Sequence, residues 1–597
     1  MRTALRLIAA LTALMASAVA PLSSQVAAVP PPAAPASELA AMVDRYNLDR
    51  GALFRRYDVE FSPERYARLT KFYKDWQQDL SKVAFDRLAV EGRIDHTLLR
   101  ARLEYELRLL AREQQWVSEA ASLAPFSSTI TALLEQRGRL ETIDPPKVAT
   151  TLATLTRDIE AATKAIDATP KPPAIATVSD PARARQINAF RAAGVLSSLR
   201  DDLTAWNRYY SGYDPMYTWW AARPYAQADK ALAAYIKALR ENIVGYRDGE
   251  DEPIIGNPIG KAALVEDLAS EFIPYSPEDL LAIAEREFAW CDREMLKASR
   301  EMGFGDDWRA ALEKVKTLHA EPGKQTDLVR DQAREAVAYV TTRDLVTVPP
   351  LADETWRMTM MSPERQKVNP FFLGGEVIQV SFPTDAMDQA DKMMSMRGNN
   401  IHFSRSTVFH ELIPGHGLQQ FMTARYNPHR RAFATPFWTE GWSLYWEMFL
   451  WDDGFPKTPE NRVGMLFWRM HRQARIIFSL RFHLGTMTPQ ECIDFLVNRV
   501  GHERANAEAE VRRSFNGTYP PLYQLAYMIG GLQFRAMQAE LVGSNPSTSL
   551  RAGRMTNRQY HDAVLQAGSM PVELVRASLT KQLVPAGFRT TWTFDRR

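Results

Sequence analysis

Cysteine is almost missing from this chain. Cys291 and Cys492 are its only two in 597 residues, and two distant thiols do not make the disulfide framework of a small secreted domain. Stability must come from buried cores, and whether the two pair is left open, since spacing says nothing of their Cα separation. An excess of either charge is missing too: 73 Lys and Arg against 71 Asp and Glu give a net charge of +2, with no field suited to nucleic acid. No apolar run reaches the ~20 residues that a bilayer requires. Glycine-rich phosphate loops and Gly-x-Ser-x-Gly elbows are absent, which argues against nucleotide and serine chemistry.

What is present begins with Arg2 and Arg6, the apolar run Leu7 to Val19, and the small residues Ala16-Ser17-Ala18. This is the layout of a signal peptide cleaved after residue 18, so the mature protein is expected outside the cytoplasm, in the periplasm or secreted. No cysteine follows the run, hence no lipoprotein signal. Residues 19–38, rich in Pro, Ala and Val, read as a flexible tether.

From 39 to 255 apolar residues recur at three- and four-residue spacing, as in Leu98-Leu99-Arg100-Ala101-Arg102-Leu103, the pattern of amphipathic helices. Pro145-Pro146, Pro170-Lys171-Pro172-Pro173 and Asp180-Pro181 punctuate a helical N-terminal lobe, and Gly256-Asn257-Pro258 marks its end. A second helical lobe is expected over 256–597, with helices from Ser276 to Met302 and from about Asp327 to Tyr339. Within it, 346–403 turns to Pro, Met, Gly and β-branched residues. Glu376–Phe382 and Asn400–Phe403 read there as short strands of a small sheet or hairpin beside the following helix. The predicted fold class is mostly α, two-lobed, with a minor β insert.

The chemistry concentrates in His410-Glu411-Leu412-Ile413-Pro414-Gly415-His416, followed 24 positions later by Glu440 in Thr439-Glu440-Gly441-Trp442-Ser443-Leu444-Tyr445-Trp446-Glu447. A catalytic zinc takes three protein ligands and keeps a fourth position for water, so His410, His416 and Glu440 suffice for one Zn2+ ion. Glu411 is placed to take the proton of the metal-activated water as it attacks a carbonyl. The two His are six residues apart, which on an unbroken helix turns their rings about 120° from one another. Pro414 and Gly415 therefore predict a break, with the helix restarting at about His416. Unrelated histidines flanking a helix break are the plainer reading; the His-Glu pair and the downstream Glu argue against it. Glu447, two helical turns after Glu440, is a candidate to hydrogen-bond a ligand His, although a solvated surface charge has the same pattern.

These residues resemble the bacterial domain-of-unknown-function family numbered 885, with its pattern His-Glu-x-x-Pro-Gly-His, then Glu-Gly-Trp-x-Leu-Tyr-x-Glu. Softer matches are Phe85-Asp86-Arg87 to Asp95-His96-Thr97-Leu98-Leu99, Tyr275-Ser276-Pro277-Glu278-Asp279-Leu280, and Gln524-Leu525-Ala526-Tyr527-Met528-Ile529-Gly530. That family looks like a distant branch of the thermolysin-like (gluzincin) metallopeptidases, and the dipeptidyl peptidase three family is a partial precedent for an expanded motif. The resemblance implies a peptidase whose metal helix is flanked by an edge strand to which an extended substrate adds. Two departures stand out: Gly417 replaces a second His, and Ser479 and Arg481 replace an acid and a glycine ahead of His483.

Such peptidases stabilise the oxyanion with a Tyr, His or Arg from a later helix. Tyr527 is the first candidate, in a signature where Gly530-Gly531 permits close helix approach; His483 and Arg513 are further candidates. A core-packed aromatic is the competing reading of Tyr527. The function expected is a zinc-dependent metallopeptidase acting on a peptide or small amide substrate, with a site between the two lobes and no nucleic-acid partner. Fold analogy alone carries the expectation of short peptides. The alternatives are an inactive peptide-binding protein on the same fold, and a metal-dependent hydrolase of non-peptide amides or esters.

Overall fold

The computed structural model describes residues 37–169, 182–246, 252–366, 369–543 and 555–595. The signal peptide, almost all of the tether, and the breaks at 170–173 and 180–181 lie outside them. The described residues form one compact unit. Among the described residues there are 23 α-helices and a single sheet of two strands, so the mostly α expectation holds. No helix among these residues is long and apolar enough to cross a membrane.

Three large apolar cores organise the helices, and a smaller fourth lies under the sheet. One is built entirely from residues between Ala120 and Val244, and a second from residues beyond Leu264. The third mixes early and late chain, packing Val43, Tyr73 and Leu99 with Trp442, Tyr560 and Val575. A buried ion cluster crosses the same seam. Asp95, fully buried, accepts hydrogen bonds from His429 Nε2 at 2.8 Å and Arg430 Nε at 2.7 Å, while Arg430 also reaches the Ala567 carbonyl at 2.8 Å and Glu91 at 2.9 Å. Cys291 and Cys492 are free, buried thiols that pack in the second core.

Local signals set the elements as the sequence implies. Ser276 and Asp279 form a reciprocal capping box at the start of the helix Pro277–Glu301, and Thr435 caps the helix Pro436–Asp452 that carries Glu440. The β insert departs from expectation in two ways. Its strands, Arg357–Met360 and Val377–Val380, run parallel with Arg357 opposite Val377 and Met360 opposite Val380, so they are not a hairpin. Asn400–Phe403 is no strand: the Asn400 side chain accepts from the His402 and Phe403 amides at 3.0 Å each and caps the helix Ile401–Glu411. An Asn cap followed by Ile, His and Phe has the composition of a strand, but two satisfied amide groups at a helix end outweigh that propensity. Ile378 and Val380 of the second strand pack on Val408 and Leu412, which places the sheet against the Ile401–Glu411 helix.

Candidate metal centre

The Ile401–Glu411 helix ends at Glu411 and a new helix, His416–Thr423, begins five residues later. The intervening loop is folded tightly back on the first helix: the Gly415 amide donates to the Phe409 carbonyl at 3.0 Å, and the Pro414 carbonyl accepts from Trp442 Nε1 at 2.9 Å. A side chain on Gly415 would lie 1.9 Å from the His410 carbonyl oxygen, so only glycine lets the chain turn there. The break brings the two imidazoles together, with ring centres 4.8 Å apart and planes at 89°.

Glu440 comes from the Pro436–Asp452 helix, which crosses the Tyr523–Leu541 helix at a glycine contact. A Cβ on Gly441 would stand 2.6 Å from the Gly530 backbone; Gly530 thus provides the close approach that its signature implied. The crossing sets Tyr523 and Tyr527 over Glu440 and His410. Tyr523 donates its hydroxyl to Glu440 Oε1. The Tyr527 ring lies parallel to the His410 ring at 6.0 Å, with its hydroxyl 3.5 Å from that of Tyr523.

Each imidazole is fixed from behind. His410 Nδ1 donates to Glu447 Oε1 at 2.7 Å. His416 Nδ1 donates to Ser443 Oγ at 3.1 Å, and that hydroxyl in turn donates to the His410 carbonyl at 3.0 Å. With both Nδ1 protons engaged, the Nε2 atoms turn lone pairs toward one oxygen: Glu440 Oε2 lies 3.1 Å from His416 Nε2 and 3.5 Å from His410 Nε2. Lone pairs facing a carboxylate at that range repel unless a cation stands among them. Ligands at 2.0–2.1 Å from a tetrahedral zinc are about 3.4 Å apart, and one donor atom from each of the three residues lies within 4.8 Å of the others. His410, His416 and Glu440 thus fit a single divalent ion. Without one, a proton serves: burial opposes the charge on His410, but hydrogen bonds to Glu440 and Glu447 outweigh it and push its pKa up to about 9. Burial likewise opposes ionisation of Glu440, and the two imidazoles overcome it and hold its carboxyl well below the usual range.

Glu411 closes the first helix, 9 % exposed. Burial pushes its carboxyl above the usual range, against the pull of His410 and His416. Gly374 lies directly against that carboxyl, and the Gly375 amide donates to the Glu411 carbonyl at 3.1 Å. The segment leading into the strand Val377–Val380 therefore runs alongside the motif.

Of the further candidates, Glu447 supports His410 and also accepts from Arg472 Nη2 at 3.1 Å. Tyr527 is beside the cluster. Arg513 donates to Glu510 Oε2 at 2.8 Å and stands 5.3 Å from the centre of the Tyr519 ring, which stacks on Tyr523 at 4.0 Å. His483 is not brought to the cluster: it lies eleven residues beyond Arg472 on the helix Pro459–His483, about 16 Å at 1.5 Å per residue. There it packs edge-on to Phe482 and Phe515, and burial lowers its pKa to about 3.

Sequence reasoning missed Tyr523, Ser443, Arg472 and Arg475. Tyr519, Tyr523 and Tyr527 stand at four-residue intervals, a signal that all three share one face. Ser443, three residues after Glu440, carries no comparable mark.

Among solved structures, the chain is similar to one from Shewanella oneidensis described as a "putative lipoprotein of unknown function", with a TM-score of 0.65, 18 % identity, and coverage of 91 % of this chain and 100 % of that one. A second, described as a "putative lipoprotein" from Colwellia psychrerythraea, matches with a TM-score of 0.47 and 14 % identity over 79 % of this chain and 99 % of that one. No curated protein matches. Residues 50–579 match the family described as "Bacterial protein of unknown function (DUF885)", and that span, most of the chain, makes this protein a member of the family.

Proposed function

We propose that this protein is a zinc-dependent metallopeptidase working outside the cytoplasm on short peptides. The observation that carries the reading is the pair of Nε2 lone pairs aimed at one Glu440 oxygen, each ring locked by a partner on Nδ1. His410, His416 and Glu440 would hold the ion, which when bound supplies Lewis-acid polarisation of a carbonyl and acidifies water. Glu411 takes a proton from the attacking water and returns it to the leaving amine, the role of a carboxylate held beside that water. Glu447 keeps the proton of His410 on Nδ1, and Ser443 does the same for His416. Tyr527, beside His410, is the candidate donor to the oxyanion.

Burial sets the substrate's form. His410, Glu411 and Glu440 are 2 %, 9 % and 5 % exposed, so an extended chain is admitted more readily than a folded protein. The N-terminal signal layout supports an extracytoplasmic site of action, and so does the lipoprotein description of the Shewanella oneidensis relative.

Turnover of a fluorogenic peptide library, before and after chelation and with Glu411→Gln as control, tests the proposal. Chelator-sensitive cleavage lost in the variant is expected. Peptide binding without turnover in the wild type points to a binding protein instead, and turnover confined to esters or non-peptide amides points to another hydrolase class.

A further inference from the structure

We infer that the site accepts substrates through a free carboxylate, seated on Arg475 and Arg513; this rests on the peptidase reading above. Three guanidiniums are buried beside the cluster, Arg472 at 7 %, Arg475 at 2 % and Arg513 at 5 % exposure. Two carboxylates serve them. Glu447 Oε1 takes Arg472 Nη2 at 3.1 Å and is shared with His410 at 2.7 Å. Glu510 holds the other two side by side, Arg475 Nε at 2.7 Å on one oxygen and Arg513 Nε at 2.8 Å on the other. Glu411 and Glu440 face the imidazoles and make no hydrogen bond to a guanidinium among the described residues, although the Arg472 charge is felt at Glu411. His471 and His502, packed against this group, are kept neutral by burial. The guanidiniums thus outnumber by one the carboxylates that hydrogen-bond them, and a buried charge without its counter-ion is costly unless an anion arrives to meet it.

Unused donors remain on all three: Arg472 Nε is buried with no partner, and the pair on Glu510 has others. Arg475 Nη1 is buried with no partner, and Arg513 Nη1 has only contacts of 3.5 Å, to Asn369 Oδ1 and Tyr519 Oη. Planar guanidinium edges of this kind match a carboxylate in shape as well as charge. Their position relative to the cluster is bridged by one side chain: Tyr527 lies 6.0 Å from His410, ring centre to ring centre, and 4.4 Å from the Arg475 guanidinium carbon. An extended peptide advances roughly 3.3–3.6 Å per residue, so a terminus one to three residues past the scissile carbonyl spans that gap. Partly exposed Tyr519 lies 5.3 Å from the Arg513 guanidinium carbon and stacks on partly exposed Tyr523.

The test compares N-acetyl-Gly-Phe-Ala with its C-terminal amide, and the amide of N-acetyl-Gly-Phe-Glu with the amide of N-acetyl-Gly-Phe-Ala. A preference in kcat/KM of about tenfold or more for either carboxylate-bearing partner is expected, as for a hydrogen bond to a charged group. The arm showing it tells a chain terminus from an acidic side chain, and Arg513→Gln should collapse that ratio toward one. Equal cleavage of all three overturns the carboxylate seat while leaving the peptidase reading intact; cleavage of none overturns that reading. A second measurement needs neither turnover nor an Arg variant. Calorimetry of N-acetyl-phenylalanine and its amide on the Glu411→Gln protein should show the acid binding at least tenfold tighter, and equal or undetectable binding of the two overturns the proposal.

Discussion

Tyr523 and Glu440 are joined by a hydrogen bond that leaves the second carboxylate oxygen turned to both imidazoles. The tyrosine thus fixes which oxygen of Glu440 faces the proposed ion. Removing such a supporting group typically costs 10–100-fold in metal affinity. Tyr523→Phe should show a loss of about that size in a zinc titration against a competing chelator, with the fold intact by circular dichroism.

Glu411→Gln keeps the shape of the side chain but not its basicity. Zinc content should stay at the wild-type level while kcat falls about 10²–10⁴-fold, the usual contribution of a general base. Retention of full turnover in this variant would remove Glu411 from the reaction.

Metal binding should register as stability. An ion that binds only the folded state at 100 times its Kd adds about 2.7 kcal/mol, so dialysis against a chelator should lower Tm and added zinc should restore it. His416→Ala should show no response to either treatment; an identical response there would place the ion elsewhere.

Glu510 offers a pH signature. Burial opposes its charge, but Arg475 and Arg513 prevail and lower its pKa to about 2, against an ordinary value of 4.5. A depressed acid stabilises the fold above its unfolded pKa, and that contribution disappears as pH falls from about 4.5 toward 2. Urea midpoints measured across that window should fall less steeply for Glu510→Gln than for the wild type.

Asp95 is the buried anion for Arg430 and His429. Asp95→Ala leaves the Arg430 guanidinium, 1 % exposed, with Glu91 as its remaining carboxylate. Breaking a buried pair from one side costs about 3–5 kcal/mol, which a shifted denaturant midpoint would report.

The helix break at Pro414-Gly415 and the restart at His416 were legible because proline and glycine act on the backbone within a residue or two. The Val377–Val380 strand was legible for the same local reason. The parallel partner Arg357–Met360 was not, since pairing depends on which segments the surrounding helices bring side by side. Asn400–Phe403 misled because its composition favours a strand while its position makes it a helix cap.

His410, Glu411, His416 and Glu440 could be picked out from the sequence because each residue's chemistry is its own and the motif fixes their order along the chain. Which ring nitrogen faces inward, the support from Ser443 and Tyr523, and the surplus guanidinium beside Tyr527 were decided only in three dimensions. Those features arise where helices distant in sequence cross at Gly441 and Gly530, and a crossing is set by packing of whole surfaces rather than by any short run of residues.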